Sequence, residues 1–311
     1  MENKVYCIIV TYNAMKWVDK CFGSLRSSKV PIHPVVVDNG SKDNTIEYIS
    51  SNYPETYIIS NSTNKGFGQA NNQGIEYAYK NGASHFFLLN QDAWVREDTV
   101  ELLIQTMEEN GYAVVSPIQL NGAGNSFDSS FCRAAIFNTK NVAYISGLVL
   151  GSVKSSYEVV SVPAACWLIS RKTIEMIGGF DPLFFHYGED SNFCQRLQYH
   201  KLTIAFATNA FVNHDRKEKG NVTLFNKLDM LRSLYLEYAG VNRPSIIIPT
   251  SQRCKLHFHL IHNLIKGCIT FNSSLLCDSI RTIYEFYSHI PSIISSKKNN
   301  RLIKPNWLIL S

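Results

Sequence analysis

Polar and apolar positions alternate in blocks along the first two thirds of the chain. VYCIIV (5–10) is an uninterrupted apolar run; it ends in Thr11-Tyr12-Asn13 and is followed by Trp17, Val18, Cys21, Phe22 and Leu25 at helical spacing. An unbroken run of this length suits a strand covered on both faces, and steps of three and four suit a helix with one buried side. The unit recurs. VVV (35–37) ends in Asp38-Asn39-Gly40, and SKDNTIE (41–47) opens a second helix with a cap-rich start. Residues 57–59 read as a third strand. Gly66-Phe67-Gly68 leads into a helix closed by Gly82, and FFLLN (86–90) is a fourth strand that runs into Gln91 and Asp92.

Strands alternating with helices predict an α/β fold with a doubly wound, mostly parallel sheet, whose ligand site lies beyond the carboxyl ends of the strands. The polar clusters above all fall at such ends. AVVSPI (113–118) predicts a further strand, whereas NGAGNSFDSSF (121–131) is a polar loop with little structural signal. AACWLIS (164–170) reads as a strand and RKTIEMI (171–177) as a helix stopped by Gly178-Gly179. Residues 192–199 read as helix, and TIAFA and AFVNHD (203–207, 210–215) as two short strands. After residue 216 the strand signal fades. Leu256, Leu260, Ile261, Leu264, Ile265 and Cys268 form one helical stripe. The expected division is an α/β domain over 1–215 and a mainly helical, basic extension over 216–311.

Charge sharpens that division. Residues 251–311 carry eight Lys or Arg against Asp278 and Glu285, a balance of +6 within a chain whose net charge is +5. Such a tail suits nucleic acid, an anionic membrane surface or an acidic partner, while its apolar stripe suits membrane docking, packing on the catalytic domain or a homo-oligomer interface. The eight cysteines form no CxxC pair, which argues against a zinc knuckle or a disulfide framework and favours a reducing compartment. The opening MENKVYCIIVTYN has too short an apolar run for a signal-peptide core. No stretch reaches the roughly 18 apolar residues of a spanning helix, so a cytoplasmic protein is expected.

Three constellations carry candidate chemistry. Thr11, Tyr12, Asn13, Asp38, Asn39, Lys65 and Gly66 lie at strand ends, where Asn and Asp can complement a base edge and a ribose; ordinary turn chemistry favours the same residues. Asp92 with His214 could hold a divalent cation on a diphosphate, because Mg²⁺ and Mn²⁺ need few protein ligands there; a helix cap and a satisfied surface histidine are the plain alternatives. Glu189-Asp190 sits at a loop-to-helix junction after several aromatics. Adjacent carboxylates point different ways, so one could act as a base, or Asp190 could simply cap the helix. GFGQANN lacks the third glycine of a dinucleotide fingerprint, and no GxxxxGK[ST] loop is present.

Taken in order, IIVTYN, VVVDNGSKDNT, NKGFGQANNQGI, FLLNQDAWV, GGFDPLFFHYGEDSNFCQRL and VNHD resemble glycosyltransferase family 2, in its rhamnosyltransferase-like branch, over roughly the first 215 residues. The resemblance implies the GT-A fold, a nucleoside diphosphate sugar donor, a glycan or lipid-linked acceptor in surface polysaccharide synthesis, and inversion at the anomeric carbon. It implies no nucleic-acid partner, and a place in the cytoplasm, peripheral at the inner membrane surface if the basic tail docks there. Carried over, Asp190 matches the base of the family's ED motif with Glu189 beside it, Asn39 the base-reading position, and Asp92 the last acid of a DxD motif whose earlier positions are here Asn90 and Gln91. His214 matches a histidine that approaches the diphosphate or a bound Mg²⁺ or Mn²⁺. A noncatalytic nucleotide-sugar-binding protein, a transferase of another UDP-sugar and a sugar nucleotidyltransferase are the competing readings. The last lacks its glycine-rich basic loop after the first strand.

Overall fold

The computed structural model describes residues 3–137, 142–216, 227–245 and 248–310. The start of the expected extension, residues 217–226, lies outside them. In chain order the elements are β1 (Val5–Thr11), α1 (Val18–Arg26), β2 (Ile32–Asp38), α2 (Thr45–Asn52), β3 (Tyr57–Ser60), α3 (Phe67–Lys80), β4 (His85–Leu89), β5 (Ala93–Val95), α4 (Thr99–Asn110) and β6 (Val114–Asn121). There follow α5 (Ser129–Phe131), which runs into a π-helical turn over Cys132–Ile136, then α6 (Val142–Leu150), β7 (Ser156–Val159), β8 (Cys166–Ser170), α7 (Arg171–Ile177), α8 (Glu189–Tyr199) and β9 (Ile204–His214). The C-terminal part is helical: α9 (Lys227–Ala239), α10 (Ser251–Ile269), α11 (Ser273–Ser288) and α12 (Ile290–Asn299).

The strands form one sheet in the order β3-β2-β1-β4-β8-β6-β9-β5, with β7 also paired to β9. Its first four strands are mutually parallel, as the repeating strand-helix units predict. β8 then enters antiparallel to both β4 and β6. β6 and β9 are parallel to each other, and β5 and β7 are antiparallel to β9, so six of the nine strands share one direction. The two short strands expected at 203–215 are one strand. Its register against β6 jumps from Ala207 to Phe211 opposite Pro117 and Ile118, a bulge that accommodates the polar Thr208-Asn209 interruption.

Alternate residues of the same strands feed two cores, one on each face of the sheet. Ile8, Phe86 and Trp167 face one core; Ile9, Phe87 and Leu168 face the other. That is the pleat of a strand buried on both sides. α3 approaches the sheet closely because Gly74 has no side chain: a Cβ there would stand 2.4 Å from Ile8 Cγ2.

A third core unites the C-terminal helices through Leu231, Leu234, Leu256, Leu260, Phe286 and Ile293. Phe184, from the loop before α8, packs into it. The chain then returns to α3 and the turn after α7 as a strap. Gly179 N donates to Asn306 O (2.9 Å), Asn72 Nδ2 to Trp307 O (3.3 Å) and Ile309 N to Glu76 Oε1 (2.8 Å). Buried Asp181 accepts from Asn300 Nδ2 at 2.6 Å and from the Ser296 hydroxyl. The stripe expected along 256–268 is thus divided: Leu256 and Leu260 are core, whereas Ile261 and Ile265 face outward. No helix among the described residues is long and apolar enough to cross a membrane.

Candidate active site

Parallel register puts the strand-end residues in a row, with Thr11 opposite Asp38 and Asp38 opposite Ser60. Thr11 Oγ1 donates to Asp38 Oδ1 (2.9 Å), and Asp38 Oδ2 accepts from the backbones of Gly40 (3.1 Å) and Ser41 (2.9 Å). Asp38 therefore shapes the turn after β2. Asn13, at φ +51, is held by Ser41 and Lys42: its N–H donates to Ser41 Oγ, and its Oδ1 accepts from Lys42 N. The Gln91 amide spans the Tyr12 backbone, accepting from its N–H at 2.7 Å and donating to its carbonyl at 3.3 Å. The exposed Tyr12 ring is left at the mouth of the cleft.

Asn39 is buried, and both ends of its amide are engaged. Nδ2 donates to Gly66 O at 3.3 Å, while Oδ1 accepts from Asn61 Nδ2 (3.2 Å) and Lys65 N (3.3 Å). These bonds lie at the long end of the normal range, so a better partner could replace them. Gly66 has φ +81, and a Cβ on it would come within 2.1 Å of Phe185 O. The loop before α8 thus rests on the loop before α3.

Asp92 and His214 meet across the β5–β9 ladder, with His214 Nε2 3.3 Å from Asp92 Oδ1. Asp92 keeps 21% of its side chain exposed, while His214 is almost fully enclosed. On its other side, His214 Nδ1 stands 3.4 Å from Asp128 Oδ2, an ion-pair separation longer than a good hydrogen bond. Burial alone would lower the His214 pKa, but the two carboxylates outweigh it and push it up to about 9. Among the described residues no group of three or more His, Cys, Asp or Glu is arranged to hold a metal ion. The pair Asp92 Oδ1 and His214 Nε2 is nevertheless spaced as two adjacent ligands, since ligands about 2.1 Å from one octahedral ion stand about 3.0 Å apart, and an ion bound there would have to displace the Nε2 proton.

Glu189 and Asp190 occupy the first turn of α8, which starts three residues earlier than the sequence suggests; Gly188 at φ +97 makes the turn into it. Their side chains diverge. Glu189 points inward, is 6% exposed, and its Oε2 has no hydrogen-bond partner. Burial, helped by the charge of Asp190, pushes its pKa up to about 8. Asp190 is partly exposed and accepts from Ser191 N (2.6 Å). Burial raises its pKa, opposed by the Ser191 bonds, the Arg232 charge and the Ala164 backbone. At neutral pH Glu189 therefore holds a proton, whereas the Ser191 bonds and the Arg232 charge favour the ionised form of Asp190. The segment facing Asp190 at Ala164 also accepts Asn90 N on Ala165 O (2.9 Å), which ties the Asn90-Gln91-Asp92 turn to the carboxylate pair.

Beside this pair a cavity of about 570 Å³ opens between the 181–187 loop and the C-terminal helices. Phe185, Tyr187 and Trp307 supply aromatic walls, and Arg232 and Glu285 supply charge. Three participants were not anticipated from the sequence: Asp128, Arg232 and Asp215, whose carboxylate binds Lys16 Nζ and Trp17 Nε1 at 2.8 Å each. The Asp-Ser-Ser run around Asp128 carries a visible helix-cap signal, and Asp128 does cap α5. Nothing local reveals that its second oxygen faces His214.

The polar strand ends, the acid-histidine pair and the divided carboxylate pair are all carried by an α/β sheet of the GT-A arrangement. Residues 6–177 match the family described as "Glycosyl transferase family 2", and the chain belongs to that family. It is 26% identical over 172 residues to "Low-salt glycan biosynthesis hexosyltransferase Agl10" of Haloferax volcanii, covering 55% of this chain and 54% of that one. It is 21% identical over 197 residues to "dTDP-rhamnosyl transferase RfbF" of Shigella flexneri (63% and 64%), and 25% identical over 228 residues to "Rhamnosyltransferase WbbL" of Escherichia coli K12 (68% and 85%). The chain thus spans little more than half to about two thirds of the first two relatives. Staphylococcus aureus TarS 1–349, solved with UDP-GlcNAc, shares the fold at a TM-score of 0.56 and 13% identity, over 96% of this chain and 89% of that one.

Proposed function

We propose that this glycosyltransferase moves a hexosyl unit, with rhamnose the favoured sugar, from a nucleoside diphosphate donor to a lipid-linked or glycan acceptor, with inversion. The observation that carries the proposal is the divergence of two carboxylates in the first turn of α8, where buried, unpartnered Glu189 holds a proton while the more exposed Asp190 is bonded to Ser191 and faces the charge of Arg232. Asp190 takes the proton of the acceptor hydroxyl as its oxygen bonds to the anomeric carbon. The bond from that carbon to the diphosphate oxygen breaks on the opposite face, and the diphosphate leaves with the electron pair. The activities for which the relatives are named, hexosyl and dTDP-rhamnosyl transfer, support the donor class.

The donor lies along the strand ends. Thr11, Tyr12, Asn13, Asp38 and Asn39 take the nucleoside, and Lys65, Gly66, Gln91 and Asp92 line the path to the diphosphate. Asp92 and His214 would hold Mg²⁺ or Mn²⁺, which when bound neutralises charge on the departing diphosphate. Asp128 sits behind His214 and orients its ring. The acceptor enters through the aromatic cavity bounded by Phe185, Tyr187 and Arg232. Residues 1–215 then form the catalytic unit, and residues 216–311 supply the far wall of that cavity and hold the enzyme at the inner surface of the membrane that carries a lipid-linked acceptor.

Asp190→Asn tests the assignment, because it keeps size and capping ability while removing basicity. Turnover should fall by about two orders of magnitude or more with donor binding nearly intact. Near-wild-type turnover in the folded variant would reduce Asp190 to a helix cap.

A further inference from the structure

α10 is apolar on two opposite sides. Leu256, Leu260 and Gly267 are buried toward α9 and α11, while Phe258, Ile261, Ile265 and Ile269 follow at i, i+3, i+7 and i+11 on the other side, each between 52% and 72% exposed. The turn that follows adds Phe271, 94% exposed with φ +50. α11 repeats the pattern: Ser279, Thr282 and Phe286 are buried, and Ile280, Tyr284 and Tyr287 are exposed. The helices pack closely where Gly267 meets Leu276, so the hairpin has an inner side on α9 and an outer side that carries both apolar stripes.

The charge beside the outer stripe has one sign. α10 contains no Asp or Glu, and exposed Lys255, His262 and Lys266 lie along one border of its stripe; exposed Arg281 lies on α11, whose one exposed acid is Asp278. We infer that the outer side of the α10–α11 hairpin is a docking face for an anionic lipid surface, with Phe258, Ile261, Ile265 and Phe271 entering the headgroup layer and the lysines meeting lipid phosphates. Apolar side chains in a helix face and cations at its border are the two components of interfacial binding, and the exposed tyrosines of α11 suit the same layer. A second copy of the chain is the poorer occupant. A two-fold contact on this face would bring its lysines against their own equivalents with no acid on α10 to neutralise them. The membrane placement proposed above motivates the idea, but the face itself is defined by these residues alone.

The test is co-sedimentation of the full chain with phosphatidylcholine vesicles, with and without phosphatidylglycerol, at low and high salt. Phe258→Ser/Ile265→Ser and Lys255→Ala/Lys266→Ala are compared with wild type, and nucleoside diphosphate binding is measured on every sample. Wild type should bind the anionic vesicles and release in high salt, and each double variant should bind about tenfold more weakly or less. Nucleotide affinity should not change. Absence of vesicle binding by wild type, or equal binding by the serine variant, would overturn the inference. So would a wild-type dimer that the serine variant converts to monomer without any vesicle binding, which would assign the face to a second copy. In each of these cases intact nucleotide binding leaves the transferase reading standing, whereas its loss in wild type would strike that reading instead.

Discussion

Glu189 should make the protein less stable as the pH rises, and Glu189→Gln should remove that dependence. The side chain is 6% exposed, one carboxyl oxygen has no partner, and its pKa is pushed up to about 8 from an ordinary value of 4.5. A carboxyl whose pKa is raised on folding favours the native state fully below the unfolded value, and that contribution drains away as the pH climbs to the folded value. At pH 7 the unfolded chain has gained 2.5 units of ionisation that the folded chain has not, which at about 1.36 kcal/mol per unit is a loss of about 3 kcal/mol, approaching about 5 kcal/mol by pH 9. Glutamine imitates the protonated acid without titrating. The difference in unfolding free energy between variant and wild type should therefore grow from near zero at pH 4.5 to about 3 kcal/mol in favour of the variant at pH 7, read by urea denaturation across the range. Titrating groups that do not interact with Glu189 cancel in the difference. Parallel stability profiles from pH 5 to pH 9 would refute a neutral, buried Glu189 and with it the assignment of the working charge to Asp190.

Other perturbations test the neighbouring parts. Asn39→Ala should weaken donor binding by about 1 to 2 kcal/mol, the scale of a lost buried hydrogen bond, in calorimetry with the nucleoside diphosphate; unchanged affinity would leave Asn39 as a staple of the 61–66 loop alone. Asp92→Ala, or removal of divalent ions by chelation, should lower nucleoside diphosphate affinity together with turnover, and an affinity indifferent to both would remove the metal from the reaction. Gly178→Ala should be much costlier than Gly82→Ala. Both glycines sit near φ +80, but a Cβ at 178 would stand 1.9 Å from Asn306 O whereas nothing lies within 4 Å at 82. Denaturation should show about 1 kcal/mol lost at Gly82 and several at Gly178, and equal losses would mean that the strap yields freely.

What the sequence disclosed follows the range over which each signal acts. β1, β2 and β4 are legible because Val5–Val10, Val35–Val37 and Phe86–Leu89 are apolar without interruption, a local property. The orientation of β8 is not local. CWLIS reads as a buried strand in either direction, and only its partners, Phe86 opposite Ile169 and Val115 opposite Leu168, make it antiparallel. β9 reads as two strands because a bulge and a loop both put polar residues between apolar ones. Periodicity finds α10 but cannot say which of its apolar positions meet a partner, so Leu260 and Ile261 look alike in sequence and differ in burial. Among site residues, Glu189, Asp190, Asp92 and His214 stand out by pattern and resemblance. Asp128 and Arg232 reach the site from a weakly patterned loop and from the C-terminal helices, where no local signal marks them.

The strap that joins residues 306–309 to Asn72, Glu76 and Gly179 has a consequence for how the molecule is made. The loop that opens into Glu189 and Asp190 is anchored at Asp181 by Ser296 and Asn300, and its preceding Gly178-Gly179 turn is closed by Asn306. During synthesis the α/β sheet can pair while those partners are still inside the ribosome, because every strand from β1 to β9 ends by His214 and, among the described residues, the later chain adds only Leu308 and Leu310 to its core. The carboxylate pair cannot yet be anchored. An emerging chain would pass through a stage with a formed sheet edge and an unanchored loop before α8 and, on the function proposed above, would be competent to capture donor before it is competent to use it.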